Sequence, residues 1–586
     1  MFLDVDVLQC SLGKAEADVV VKNAIVIDTW SGELLEGYCL AVKNGVICRL
    51  DENVDDVVGR GTTVLEAKGK YLSPGFMDAH VHLESSMLSV SEFCRAVVPR
   101  GTTCAVADPH EIANVLGVRG IKLLMREARN LPLKVLFSIP SCVPASDMET
   151  SGATIGIKEV VKLTREPEVV ALGEMMNYVG VVSLNQEVLA KLEAAQRSSL
   201  FLDGHAPRLR GAKLSAYIAA GIRSDHEVDN LEEGLEKLRK GMYLMVREGS
   251  LAKNISSLAG VAKSGIDLDA CLVVSDDRTP KDLAKLGHMD HNIKRLIEEG
   301  FDPVDAYKMA TLNPAKRYGL ENVMGSPTPG RIADFVLLDD LEKVKVSKVF
   351  VDGELVASNG KLMVELPKFA YPKYALNTVK LKKKLAADDF SIRAPRRSGE
   401  VSVRVIEVAD GSLVTGETVE KLPIKDRRVI PSVEKDVLQV AVVERHGKTG
   451  NVGLGFVKGF GLKRGALAST VAHDSHNLVV VGASWEDMLS AVEEVQKMQG
   501  GLAVVSSGKT LAKLELPIAG LMSTERLESV VEKHENLEKA AKKLGCKLEQ
   551  PFMTLSFIAL PVIPKLKITD FGLVDVEKQE IISVFA

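Results

Sequence analysis

The sequence predicts an α/β protein of several domains: alternating strands and helices set inside a small β-rich domain, with a mixed domain after them. Three observations lead there. The length of 586 residues exceeds what one hydrophobic core supports. Short β-rich runs near the start recur in the same grammar only after residue 329. Between them, apolar runs of strand length alternate with stretches of helical periodicity.

The first runs, DVVVKNAIVI at 18–27 and YCLAVKNGVICRL at 38–50, are separated by Gly, Asn and polar turns, as in an antiparallel sheet. GRIADFVLLD at 330–339 and VSKVFVDGELVASNGKL at 346–362 match them, so one β domain is expected from residues 1–72 and 321–370. The insertion, 73–320, offers the strands GTTCAVA (101–107), LKVLFSIP (133–140), VVALGEM (169–175), LFLDGH (200–205), GIRSDH (221–226) and CLVVSDD (271–277). Helical spacing runs through VRGIKLLMREARN and NLEEGLEKLRKGMYLMVREG. Repeated βα units imply a parallel sheet or a barrel, with polar residues gathered at the C-terminal strand ends. In 371–586, VSVRVIEV, VLQVAVVER, NLVVVGA and GLAVVSSG alternate with WEDMLSAVEEVQKMQ and ERLESVVEKHENLEKAAKKLG, an α+β or α/β domain. KLKKKL at 380–385 reads as a solvated linker or helix face.

With 46% hydrophobic residues, 26% charged residues and a net charge of -5, the chain has an ordinary globular composition and no basic field for nucleic acid. A small-molecule partner is favoured. The eight cysteines form no C-x-x-C pair and demand no disulfides. MFLDVDVLQC lacks the basic start and apolar run of a signal peptide, and no apolar run approaches the roughly 18 residues of a membrane span. The cytoplasm is expected.

The chemistry gathers first in GFMDAHVHLESS, residues 75–86. His80 and His82 alternate along a strand and project to the same side, which is metal-ligand spacing. Glu174, His205, His226 and Asp276 end further strand runs, and nitrogen and oxygen donors from separate strands suit zinc, iron or manganese. Ser85, Ser86, Asp108 and His110 are candidate substrate contacts; the serines are otherwise turn or cap residues, and Asp108 and His110 otherwise orient ligands or cap their loop. His288 and His291 in GHMDH read as surface or supporting residues. His473, Asp474 and His476 in VAHDSHN reach a metal, close the barrel as a cap or subunit contact, or form a structural hydrogen-bond cluster. The glycine-rich GFVKGFGLKRG at 455–465 lacks a P-loop ending, so phosphate binding is not expected.

The order H-x-H, acid, His, His, Asp, together with TLNPAKRYGL, resembles the amidohydrolase superfamily over residues 18–362. That resemblance implies a metal-dependent (β/α)8-type barrel (TIM barrel) inserted in a small composite β-sandwich domain. Within it, PGFMDAHVHLESSM, ADPHEIANVLG, LDGHAP, SDHE, VVSDDRTP, GHMDH and VAHDSHN are similar to the adenine deaminase family, over almost the whole chain. The resemblance implies two divalent metal ions, Mn(II) or Fe(II) before Zn(II). His80, His82 and Asp276 would attach to one, His205 and His226 to the other, and Glu174 would bridge. It implies hydrolysis of adenine to hypoxanthine and ammonia in purine salvage, with Asp276 accepting a proton from water and Glu84 or Glu111 as candidate ring-proton donors, each equally a supporting carboxylate. A homo-oligomer, dimer or higher, is expected from the additional C-terminal domain. Two alternatives stand beside this reading. One is hydrolysis of a cyclic amide, where many relatives bridge their metals with a carboxylated lysine rather than a glutamate; the other is a noncatalytic binding protein on the same scaffold.

Overall fold

The computed structural model describes residues 4–586, so the first three residues of the expected N-terminal segment lie outside the described residues. Val19–Asp28, Glu33–Lys43, Val46–Asp51, Thr63–Glu66 and Tyr71–Pro74 join Phe335–Leu338, Val346–Val351, Glu354–Ser358 and Lys361–Leu362 in one nine-stranded sheet. The join is antiparallel, with Phe335 opposite Pro74 and Leu337 opposite Leu72. Side-chain alternation gives this sheet two apolar faces: Val21, Leu40 and Val42 pack on one, Val20, Cys39 and Ala41 on the other.

Between the two halves lie eight strands: β1 (Phe76–Val81), β2 (Thr102–Ala107), β3 (Lys134–Ile139), β4 (Val169–Met175), β5 (Phe201–Gly204), β6 (Ser224–Asp225), β7 (Tyr243–Arg247) and β8 (Cys271–Val274). β1 to β5 form one parallel sheet and β6 to β8 another. Thin seams close them into a barrel. Arg223 donates its N–H to Leu202 O at 3.1 Å, and a parallel bridge pairs Val81 with Asp276.

β7 corrects the sequence reading, which placed MYLMVR inside a helical stretch. The helix spans Leu231–Arg239, Gly241 takes a positive φ of 82°, and the aromatic and β-branched YLMVR then pairs with β8. Helical spacing continued past a residue suited to end a helix.

The C-terminal domain is built on a nine-stranded, mainly antiparallel sheet. Helix Trp485–Met498 covers the face carrying Val480, Ala468 and Ala503, while Leu527–Lys543 belongs to the core that includes Leu502, Val504 and Leu514. KLKKKL forms no helix: Lys380 donates its N–H to Arg445 O and Leu385 is buried against the sheet. The domain docks on the barrel mouth. Thr150 donates its N–H to Asp570 Oδ1 at 2.8 Å, Asn477 Nδ2 donates to Thr150 O at 2.8 Å, and Ser523 N–H donates to Met87 O. Among the described residues no helix is long and apolar enough to cross a membrane, and the eight cysteines are buried and free.

Candidate metal centre and the loop that covers it

Six donors meet at the C-terminal end of the barrel. His80 lies on β1 and His82 follows it, Glu174 lies on β4, His205 follows β5, His226 follows β6 and Asp276 lies beyond β8. All but His205 are fully buried. His82 Nε2 is 3.0 Å from Asp276 Oδ1 and 3.4 Å from Glu174 Oε1, and His80 Nε2 is 3.5 Å from the same Asp276 oxygen. Glu174 turns its other oxygen to His205 Nδ1 at 2.6 Å and His226 Nε2 at 3.2 Å. Its carboxylate therefore lies between the two histidine pairs. Asp276 takes a left-handed φ of 57°, an uncommon conformation held by its N–H on His80 O (3.0 Å) and by His82 N–H on its own carbonyl (3.2 Å).

The protons on His82 decide what this cluster can hold. Its Nδ1 sits 2.9 Å from the carbonyl oxygen of Asp108, which can only accept, so Nδ1 carries the hydrogen and Nε2 of the neutral ring presents a lone pair. That lone pair faces two carboxylate oxygens, an arrangement that repels unless positive charge lies between them. His80 Nε2 is also buried without a hydrogen-bond partner. Burial and His110 depress the His82 pKa, yet Asp276 and Asp277 outweigh them and hold it well above the ordinary histidine value, so Nε2 takes up positive charge at this point, as a proton or from a cation that displaces it. Against the opposing pull of burial, His205 and His226 keep Glu174, and Arg247 keeps Asp276, well below the carboxylate range. Imidazole nitrogens that can give up a proton, directed with ionised carboxylates at one point, fit a divalent cation.

A second cluster lies beside the first. Residues 470–477 link strands Ala466–Ser469 and Leu478–Gly482 of the C-terminal sheet and bring His473 and His476 to Glu111, on the helix His110–Leu116. Glu111 Oε1 accepts from His473 Nδ1 at 2.9 Å and from Ser85 Oγ at 3.2 Å, and Oε2 faces His476 Nε2 at 3.4 Å. Here the protons point the other way. The N–H of Ala472 donates to His476 Nδ1 at 3.1 Å, so Nε2 of that ring carries the hydrogen and directs it at Glu111. With no lone pair facing the carboxylate, His476 is a donor and not a metal ligand. Burial works against ionisation of Glu111, but His473 beside it holds the carboxyl well below its usual range. His110 joins the clusters, with Nδ1 3.4 Å from Glu174 Oε1 and Nε2 3.7 Å from Asp474 Oδ1.

The remaining sequence candidates divide. Ser85 Oγ lies between Glu111 and Asp277 Oδ1, the latter at 2.5 Å. Ser86 turns away: its Oγ donates to Leu83 O at 2.5 Å and accepts from Leu88 N–H, so it closes a turn instead of meeting a substrate. Asp108 accepts the N–H of Glu174 at 3.0 Å on Oδ2, in line with the orienting alternative to a substrate contact. Burial and Glu111 push the Glu84 carboxyl up to about 7, and its Oε2 has no partner, while Oε1 accepts from Ile112 N–H at 3.0 Å. Glu111, held ionised by His473, is an acceptor and not a proton donor. His288 bonds Thr102 Oγ1 through Nδ1 at 2.9 Å and lies 3.0 Å from Asp78 Oδ2; Asp78 Oδ1 accepts the N–H of His80, so His288 braces β1. His291 is half-buried, 3.9 Å from Glu248. Sequence reasoning missed Arg247, whose Nη1 donates to Asp276 Oδ2 at 2.6 Å and to Glu227 Oε1 at 2.5 Å. Its signal was an arginine ending the apolar run YLMV.

Residues 71–356 match the amidohydrolase family and residues 412–580 the adenine deaminase C-terminal domain. A protein named adenine deaminase from Archaeoglobus fulgidus is 47% identical over 99% of this chain and 98% of its own length. One of the same name from Moorella thermoacetica is 44% identical over 97% of this chain and 96% of its own. Among solved structures, an enamidase of the amidohydrolase superfamily matches 60% of this chain and 97% of its own at 18% identity, with a TM-score of 0.46.

Proposed function

The chain belongs to the adenine deaminase family of amidohydrolases, and on that footing we propose how its residues divide the work. It is a hydrolase that deaminates adenine, giving hypoxanthine and ammonia. The observation that carries the chemistry is His82 Nε2 facing two ionised carboxylates while Nδ1 is committed to the Asp108 carbonyl. His80, His82 and Asp276 would hold one divalent cation, His205 and His226 a second, and Glu174 would bridge them. Such cations, manganese or iron with zinc as a substitute, supply Lewis-acid polarisation and ionise water near neutral pH. Asp276 has one oxygen tied to Arg247, which leaves Oδ1 to take up a proton. Glu84 Oε2 holds a proton near neutrality and is the group suited to protonate a purine ring nitrogen. His110, against Glu174 and Asp474, borders the substrate, Asp108 fixes the Glu174 backbone and the His82 tautomer, and the 470–477 loop limits access of bulk water. A place in purine salvage, a cytoplasmic location suited to free buried thiols and a homo-oligomeric assembly complete the reading.

A glutamate at position 174, where cyclic-amide hydrolases use a modified lysine, favours this reading over ring opening. The test is ammonia release from adenine by metal-stripped protein reconstituted separately with Mn(II), Fe(II) or Zn(II), beside ring opening of cyclic amides. Turnover of adenine by a reconstituted form is expected; cyclic-amide hydrolysis without deamination would overturn the proposal.

A further inference from the structure

The C-terminal domain brings a charged histidine to the barrel mouth, and the metal centre does not use it. His473 donates from Nδ1 to the buried Glu111 carboxylate at 2.9 Å and has Asp474 Oδ1 at 3.8 Å. Its Nε2 makes no hydrogen bond with the described residues. One face of the ring stacks on Phe557, centroids 4.4 Å apart and planes at 24°. Phe557 belongs to an apolar patch with Met553 and Leu560, against which Leu251 of the barrel loop after β7 also packs. A ring nitrogen of His110, one of His473 and a carboxylate oxygen of Asp474 lie within 4.8 Å of one another, and His110 reaches Glu174. His110 thus stands between the metal centre and His473, which places the two one side chain apart.

We infer that His473, held by Glu111, is a substrate-binding residue contributed by the C-terminal domain: its Nε2–H donates to a lone-pair ring nitrogen of the purine, with the patch around Phe557 forming the apolar wall of the base pocket. The inference rests on the deamination reading above. Glu111 supplies what an otherwise costly buried imidazolium requires, so a donor is ready before the base arrives. Burial opposes the charge, but the Glu111 carboxylate outweighs it and brings the His473 pKa up to about 9. The apolar wall suits a flat aromatic ring, and the donor beside it sets the ring's orientation. Ser85, between Glu111 and Asp277, ties this pair to the turn that follows the H-x-H.

Two substitutions separate binding from bracing. Asparagine places its amide nitrogen near Nδ1 and keeps the Glu111 contact; glutamine places its nitrogen near Nε2 and keeps the distal donor. For adenine, His473→Asn is expected to raise KM roughly 10- to 100-fold, the loss of one charge-assisted hydrogen bond, with thermal stability and metal content retained. His473→Gln is expected to recover most of that loss. Inhibition by 3-deazaadenine and 7-deazaadenine identifies the acceptor: wild type is expected to bind one of them weakly by a similar factor, and His473→Asn to erase that penalty. A wild-type KM in His473→Asn, with His473→Gln the damaged variant, would make His473 a brace and overturn the inference, as would deaza-analogue penalties that persist in His473→Asn. A wild-type enzyme releasing no ammonia from adenine would remove the deamination reading itself, and this inference with it.

Discussion

Two histidine–carboxylate clusters share the barrel mouth, built from the same residue types and equally buried, and the protons on their rings separate them. Around His82, the Asp108 carbonyl claims the hydrogen of the outer nitrogen, and a lone pair faces Asp276 and Glu174. Around His476, the Ala472 amide claims the lone pair of one nitrogen, and a hydrogen faces Glu111. In the first cluster unsatisfied ring nitrogens and ionised carboxylates converge on one point, a place that a proton or a metal cation fills; the second is closed by the His473 hydrogen bond to Glu111. Proximity of ligand-type atoms, which both share, does not distinguish a metal site from an ion-paired one. The backbone group behind each ring does.

The largest effect expected from breaking this contrast falls on the first cluster. Removing metal with a chelator, or replacing Asp276 by Asn, is expected to lower kcat by about 10³-fold or more while the fold persists, measured as ammonia release beside circular dichroism. Wild-type turnover in the Asn variant would reject its role. Next comes Arg247→Met, which removes the cation paired with Asp276 and Glu227. A loss of about 10- to 100-fold in metal affinity or activity is expected, checked by titrating metal back into stripped protein. Glu111→Gln acts on the second cluster and separates the two. It withdraws the charge that compensates His473, so a stability loss of about 3 kcal/mol is expected in denaturant titration, with metal content unchanged.

The smallest effect is one of pH. The His473 pKa is raised by folding, so the stability its pairing contributes is complete below about 6.5 and fades as pH rises through about 9. The difference in Tm between wild type and His473→Gln, which gives up the Glu111 contact, is therefore expected to shrink across that window. A difference that grows with pH would mean that His473 is neutral.

Much of the first cluster was legible in the sequence because strand periodicity directs His80 and His82 to one side and strand ends in a barrel converge. Arg247 was not, since MYLMVR continues the apolar spacing of the helix before it and a single glycine, Gly241, is the break between them. β6, just two residues long, was visible mainly through the histidine that follows it. Glu84 and Glu111 looked equivalent as acids in the sequence. What separates them is His473, brought from a different domain, and no local pattern records that pairing. The composite sheet was readable from recurring β grammar; how the C-terminal loop docks on the barrel was not, because it depends on contacts such as Asn477 with Thr150.

The most direct measurement counts and locates cations in protein purified without added chelator, by elemental analysis and anomalous diffraction, for wild type, His82→Ala and His476→Ala. Cations are expected among His80, His82, Glu174, His205, His226 and Asp276, depleted in His82→Ala and retained in full by His476→Ala. A cation bound between Glu111 and His476, or a full complement surviving in His82→Ala, would contradict the assignment of charge in both clusters.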